Sequence, residues 1–381
     1  MSPKPFRRLA LALAAALALG PQAARAQDGD GRSRPRARPE DRAQPEGRAR
    51  KATPEQPGKD GPAATSAGGW RLKRTLRGHE GAVYSAAFYP EGTRVATSGD
   101  DGLVRVWDVR TGRLLRSARV ASGTVSDVAV SPDGRLLASC TDSGEGSQVQ
   151  LRDARTLLLR RTLASQEDGV FEVVFSPDGR LLASGGRDHV VRLWDVRTGR
   201  LARALKGHDD AVTALAFTPD GRKLASASAE HDGTVRLWDV STGASLHTLA
   251  AHGDWVTSVA FAPGGATLAS GGRDHKLIIW DTETGRKIRE LHQPEMVYEI
   301  EFSPDGRLLA EAGGGGIVRL HDPRTGRLLS KFEAHREEIN EVKFSPRGLL
   351  LLTASYDSTV KLWEPDPNAP AHKDPPSKWL E

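Results

Sequence analysis

The chain has 381 residues, 54 Lys and Arg against 49 Asp and Glu, 38% hydrophobic residues and one cysteine. That length can bury a large core, while a lone cysteine excludes an internal disulfide framework. The formal net charge of +5 is an end effect: residues 1–26 hold four basic and no acidic residues, so the remainder carries +1 and lacks the basic excess that nucleic-acid binding draws on.

In residues 1–26, Lys4, Arg7 and Arg8 precede an apolar run from Leu9 to Leu19, and Ala24-Arg25-Ala26 forms a small-x-small cleavage site. This is the pattern of a secretory signal peptide, too short for a transmembrane span. Arg7-Arg8 leaves general secretory and twin-arginine routes both open, and no cysteine follows the run to carry a lipid anchor. The mature protein is expected to be exported, periplasmic or extracellular. Residues 27–69 hold nine basic and seven acidic residues with six prolines and almost nothing apolar, a composition that predicts a disordered linker.

From residue 70 the chain repeats. Trp-Asp or a worn form of it falls at Trp107-Asp108, Arg152-Asp153, Trp194-Asp195, Trp238-Asp239, Trp280-Asp281, His321-Asp322 and Trp363-Glu364, at steps of 45, 42, 44, 42, 41 and 42 residues. Upstream of each comes a turn, in full Ser-Pro-Asp-Gly at Ser131, Ser176 and Ser303, then a run such as Leu-Ala-Ser. Pro presets the first turn dihedral, Asp bonds its own backbone and Gly takes the positive φ, so each is a hairpin signal. The stretches between turns read as strands of four to six residues, four per repeat. A sheet of that size must stack on neighbours, which predicts an all-β, seven-bladed propeller over residues 70–365. Trp70–Arg77 matches the segment after each Trp-Asp, whereas Trp363 runs into Pro365, Pro367 and Pro370; the N-terminal strand is therefore expected to complete the last blade and remove two exposed edges. Residues 366–381 read as a short tail. Cys140, within a predicted strand, reads as a buried small apolar side chain.

These motifs resemble the WD-repeat (G-protein β-subunit-like) family, over roughly residues 70–365. The resemblance implies a buried tetrad in each blade: the His of Gly-His, a Ser or Thr, a turn Asp, and the Trp. Blade seven offers His335, Ser355, Asp357 and Trp363, and blade four offers His208, Ser228, Asp232 and Trp238. Blades one, three and five keep Asp101/Trp107, Asp188/Trp194 and Asp274/Trp280, with Gly99, Gly186 and Gly272 at the expected Ser position, so the pattern reads as eroded. Blades two and six, with Arg152 and His321 in place of Trp and Gly315 in place of the turn Asp, are expected to be the loosest.

Catalytic motifs are absent from the sequence: there is no His-Glu-x-x-His, nucleophile elbow or phosphate loop. The Gly313 to Gly316 run reads as a tight turn. Gly-Gly-Arg-Asp-His occurs twice, ending at His189 and His275, and a group repeated at matching positions reads as scaffold. Turn carboxylates are spread one per blade, so no metal and no cofactor is expected. The resemblance implies partner contact on the narrow face, around the first strand of each blade and the residue before each turn Asp. Those positions carry Tyr84, Ser126, Phe171, Thr213, Thr257, Tyr298 and Asn340, flanked by Trp255, Met296 and Glu338, and then Asp100, Arg187, His231, Arg273 and Tyr356. Aromatics and Arg there either form a contact surface or plug the channel. The sequence therefore points to a monomeric, non-catalytic exported scaffold for a protein or peptide, with no nucleic acid. A TolB-like or quinoprotein-like periplasmic propeller, binding a small ligand or acting as an enzyme, is the alternative.

Overall fold

The computed structural model describes residues 69–142, 147–163, 169–250 and 252–369. The segment read as a signal peptide, the linker up to residue 68 and residues 370–381 of the tail lie outside them. Among the described residues, 28 strands form seven four-stranded sheets. The one other element is a 3-10 turn at Gly314–Gly316, on the glycine run read as a tight turn. None of these residues forms a helix long and apolar enough to cross a membrane.

Blade one runs from the channel outward as Val83–Phe88, Arg94–Gly99, Leu103–Asp108 and Leu114–Arg119. The inner strands of blades two to six are Val125–Val130, Val170–Phe175, Val212–Phe217, Val256–Phe261 and Val297–Phe302. Blade seven consists of Ile339–Phe344, Leu351–Ser355 and Thr359–Pro365, with Trp70–Arg77 as its outer strand. Each inner strand packs on the next and the seventh packs on the first, so the ring is closed.

Burial falls off outward within each blade. Second strands are enclosed almost throughout, whereas the outer strand Leu159–Thr162 is fully exposed. The core therefore lies between blades: Val83, Ala86, Val95 and Trp107 of blade one pack with Leu352, Ala354, Val360 and Leu362 of blade seven. Burying each such aliphatic side chain contributes about 1.5–3 kcal/mol. Cys140 is fully buried in a neighbouring cluster.

The closing strand pairs antiparallel from Trp70↔Pro365 to Arg77↔Thr359. Trp70 stacks on Phe332 at 6.5 Å, and Phe332 lies 4.8 Å from Trp363. Arg71 and Lys73 both reach Glu364, at 2.7 and 2.5 Å.

Within blades, a hydroxyl relays between Trp and His, and the structure corrects which one. Trp363 Nε1 donates to Thr353 Oγ1 at 3.0 Å, and His335 Nε2 lies 2.7 Å from the same oxygen. In blade four, Trp238 Nε1 and His208 Nε2 meet on Ser226 Oγ, at 2.8 and 2.6 Å. Ser355 and Ser228, expected in this role, instead bond the loop before the inner strand: Ser355 Oγ donates to Glu338 O at 2.7 Å, and Ser228 Oγ to Asp210 O at 3.1 Å. The glycines at that position are not erosion either. A Cβ on Gly99 would sit 2.2 Å from Ala82 O, and on Gly186 2.0 Å from Gly169 O, so the same loop approaches too closely for a side chain.

Blades one and five thus carry complete tetrads through Thr97 and Ser270, with His79 and His252. Blade three has Trp194 on Ser184 at 2.8 Å. His335 Nδ1 lies 2.9 Å from Asp357. Burial opposes charge on Asp357, but the bonds from His335 and Thr359 prevail and hold its carboxyl below the usual range. Burial lowers His335, so a neutral ring donating from Nδ1 and accepting at Nε2 satisfies every member.

Blades two and six replace this chain with charges. Arg152 donates to Leu157 O at 2.9 Å and to Gln150 Oε1 at 2.5 Å. His321 Nε2 meets Glu311 at 2.8 Å, and Arg319 bonds Glu311 and Glu295. Ser139 Oγ, Arg152 Nε and His321 Nδ1 are buried there without a partner, yet both blades keep four strands.

Two outcomes follow. Deleting residues 70–77 strips a full ladder and Trp70 from the last blade, and thermal unfolding should show Tm lowered by about 10 °C or more; an unchanged Tm refutes closure as a stability element. Thr353→Val orphans both Trp363 Nε1 and His335 Nε2, and should cost about 2–4 kcal/mol in denaturant unfolding. Ser355→Ala should cost about 1 kcal/mol; the reverse order overturns the relay assignment.

Candidate functional site

All seven inner strands begin on one face, and their pairing with the second strands slips at the same place. The ladder skips Tyr84, Ser126, Phe171, Thr213, Thr257, Tyr298 and Asn340. Each is a bulge residue, which leaves the strict alternation and is re-aimed. One position per blade is thereby released at the same mouth of the channel.

Three of the seven lash the ring together. Thr213 Oγ1 donates to Val256 O, Thr257 Oγ1 to Val297 O at 2.6 Å, and Asn340 Nδ2 to Val83 O at 2.9 Å. Each bond crosses to the inner strand of the following blade. Asn340, expected to contact a partner, thus has its amide nitrogen committed to the ring, and its Oδ1 is buried.

The other candidates form an arc of rings and guanidinium groups. Tyr84 meets Tyr356 edge-on at 5.8 Å. Arg187 lies 5.4 Å from the Phe171 ring and forks onto Asp142 with two bonds of 3.0 Å. Arg273 covers the Trp255 ring at 4.4 Å. Trp255 is only 7% exposed, packed on Ala211 and Ala229 with Phe171 against it. A partner approaching there meets Arg273 rather than the indole. Tyr298 Oη lies 3.9 Å from Met296 Sδ, and Met296 is exposed. Burial pushes the Tyr84, Tyr298 and Tyr356 hydroxyls up, aided by Asp100, Glu338 and the neighbouring Tyr84 respectively, so all three stay protonated donors. His189 and His275 both take positive φ, at equivalent turns of blades three and five.

Inside the channel lies a set of residues that the sequence reading missed. The third position of the inner strands carries Ser85, Asp127, Glu172, Ser258, Glu299 and Glu341, and the fifth carries Glu301 and Lys343. An inner strand is a sheet edge, so alternate N–H groups lack a ladder partner. The preceding blade supplies one. Asp127 accepts from Val173 N at 2.9 Å, Glu172 from Leu215 N at 2.9 Å, Ser258 from Ile300 N at 3.2 Å, and Glu301 from Phe344 N. Lys343 Nζ donates to Glu299 at 2.5 Å and contacts Glu341 at 2.7 Å. The readable signal was a charge inside an otherwise apolar strand, as in Val-Phe-Glu-Val-Val-Phe and Val-Tyr-Glu-Ile-Glu-Phe.

Burial drives Asp127, Glu172 and Glu341 upward, and neighbouring carboxylates add to the shift of Glu172 and Glu341. It also raises Glu301 to about 7, against Lys343 and the Phe344 amide. Lys343 is raised despite burial, because Glu299, Glu341 and Glu301 surround it. Bonds from strand amides to Asp127, Glu172 and Glu301, and from Lys343 to Glu299 and Glu341, give these acids structural partners. Among the described residues, no group of three or more His, Cys, Asp or Glu is placed to hold a metal ion.

Comparison with known proteins agrees with this architecture. The family described as "WD domain, G-beta repeat" matches seven successive segments, residues 70–108, 112–146, 158–195, 199–239, 243–281, 285–322 and 326–364. A guanine nucleotide-binding protein subunit beta of Arabidopsis thaliana is 42% identical over 71 residues, 18% of this chain and 19% of the relative. Human apoptotic protease-activating factor 1 is 40% identical over 72 residues, 17% of this chain and 6% of the relative. Eukaryotic translation initiation factor 3 subunit I of Phaeosphaeria nodorum is 36% identical over 88 residues, 23% of this chain and 26% of the relative. The chain thus matches only a small part of the length of each.

The raised Glu301 sets a pH dependence. Its carboxyl stays protonated in the native state up to about pH 7 but ionises from about 4.5 once unfolded. The stability it contributes is therefore fully present below 4.5 and lost as pH rises through 7, a fall of about 3 kcal/mol. Glu301→Gln keeps an acceptor for the Phe344 amide and removes the titration. Denaturant unfolding should show the variant gaining on wild type between pH 5 and pH 8; a constant difference refutes the assignment.

Proposed function

The chain belongs to the WD-repeat family, and on that premise we propose that it is a non-catalytic exported scaffold that holds a protein or peptide partner on the face where its inner strands begin. Such propellers are typically protein-interaction platforms, and relatives matched here are named as subunits of larger assemblies. The observation that carries the reading is the bulge in all seven inner strands, which delivers one re-aimed side chain per blade to a single mouth. Of the four not spent on lashing the ring, Tyr84, Phe171 and Tyr298 are aromatic and the fourth is Ser126; Arg187 lies over Phe171, and Arg273 covers the neighbouring Trp255. Aromatic and Arg side chains with restricted rotamers give large contact area at low entropic cost. Export rests on the pattern of residues 1–26. The non-catalytic reading rests on repetition, since the Asp-His pairs recur between blades, and on the channel acids being engaged by strand amides or by Lys343.

The test is capture from the exported-protein fraction with the mature chain, compared with an Arg273→Glu/Tyr298→Ala variant. A specific partner should be recovered with wild type and fall about tenfold or more with the variant, at unchanged Tm. Undiminished recovery by a folded variant moves the site elsewhere, and turnover of a substrate by the wild type overturns the scaffold reading.

A further inference from the structure

The opposite face, where inner and third strands end, carries a groove of different chemistry. It lies between the turns of blades two and three, has a volume of about 1140 Å³, and is lined by seven arginines against four aspartates. Its floor includes Leu136, Leu151 and Val196.

One oxygen of each aspartate is committed to its own turn, although the Asp133 and Asp178 side chains stay 59% and 57% exposed. Asp133 Oδ1 accepts from Ser131 Oγ at 2.6 Å and Arg135 N at 3.0 Å, and Asp178 repeats both bonds in blade three. Asp195 Oδ1 takes the amide and hydroxyl of Thr198, both at 2.6 Å. Asp153 is filled by Thr156 and by Arg160 at 2.6 Å. Arg94 and Arg160 are paired with Glu91 and Asp153, whereas four other guanidinium groups are solvated. Arg135 and Arg180 are 85% and 86% exposed and lie 3.9 and 3.7 Å from their nearest carboxylates, beyond hydrogen-bond reach. The exposed Arg155 and Arg197 have no side-chain bond among the described residues. Arg161, from the exposed outer strand of blade two, bridges the two blades by donating to Thr198 O at 2.5 Å. It passes so close that a Cβ on Gly199 would lie 2.2 Å from its side chain. The groove thus has walls fixed by turn hydrogen bonds and, above an apolar floor, four guanidinium groups without a side-chain hydrogen bond among the described residues, Arg135, Arg155, Arg180 and Arg197.

We propose that this groove is a second docking surface, separate from the mouth of the channel, for an extended acidic peptide segment of a partner protein. Arg forks match carboxylates in two-point geometry, and Leu136 and Val196 suit the apolar side chains that alternate with them in an extended strand. The interleaved aspartates oppose a uniformly dense polyanion. A nucleic-acid backbone would set phosphates against Asp133, Asp153, Asp178 and Asp195, whereas a peptide with spaced carboxylates avoids them.

Fluorescence anisotropy of the full chain with a labelled Glu-Val repeat peptide of about ten residues tests this directly. The expected result is salt-sensitive binding that weakens about tenfold or more in Arg155→Gln/Arg197→Gln and in the single charge reversal Arg197→Glu. The Arg273→Glu/Tyr298→Ala variant should bind the peptide as wild type does, which separates this surface from the one at the channel mouth. Both arginines are exposed and unpaired, so their variants should keep the wild-type Tm. No peptide binding, equal binding by folded variants, or tighter binding of a single-stranded oligonucleotide at the same salt overturns the proposal.

Discussion

A small four-stranded sheet covers neither of its own faces, so each blade here is stable only between two neighbours. The buried clusters follow that rule, and the one containing Trp107 draws half its residues from blade seven. Burial accumulates around the ring instead of within a blade, so closure decides whether the first and last sheets are covered at all. The N-terminal strand solves this with a full antiparallel ladder onto Thr359–Pro365, capped by the Trp70–Phe332–Trp363 stack. Chain ends far apart in sequence thus become neighbours in one sheet, and no sheet edge is left at the junction.

Closure also creates a problem that the channel acids answer. Seven inner strands present unpaired amides to a narrow channel, and a buried amide without a partner costs about 1–3 kcal/mol. Side chains from the preceding blade fill the vacancy, and most of them are carboxyls. Burial then raises their pKa, which disfavours simultaneous charge on neighbouring acids. Lys343, held by Glu299 and Glu341, offsets part of the remaining charge. What resembles a reactive cluster is edge capping. Blades two and six show the same tolerance on a smaller scale. Their Arg152 and Glu311–His321–Arg319 networks leave polar atoms unpaired, while neighbouring sheets keep both in register.

Much of the fold was legible because it rests on local signals repeated at fixed spacing: the Trp-Asp period, the turns, and the strand at Trp70–Arg77 that lacked a partner in its own repeat. The relay was misplaced for a physical reason. Thr353 and Ser355 lie two residues apart on one strand and so share a face, and periodicity cannot choose between them. Spacing could have done so, since His79, His208, His252 and His335 are each followed eighteen residues later by the bonded hydroxyl. The rim candidates fall at the bulges of the inner strands, but the sequence does not say which of them the ring consumes. Thr213, Thr257 and Asn340 look as available as Tyr84 and Tyr298 until their bonds to the next blade are known. Trp255 looks like a protruding anchor until it is found beneath Arg273. Such distinctions depend on contacts between blades, which a single repeat does not encode.

Repetition also separates what folding requires from what it does not. The turn Asp recurs because its oxygens close the turn, as at Asp133, Asp178 and Asp220, each bonded to a hydroxyl two residues before it. The Gly recurs because the turn needs positive φ, as at Gly134 and Gly179. The Arg that follows, at Arg135, Arg180 and Arg222, closes nothing: its guanidinium stands exposed, 3.7–3.9 Å from the nearest carboxylate. A residue can repeat without a folding role only if the face tolerates or uses its charge. Between blades two and three the arginines converge on one groove, where Arg161 draws the two blades together. The two faces therefore differ in kind. One offers rings and stacked guanidinium groups held in place by packing, and the other offers solvated cations held apart by their turns.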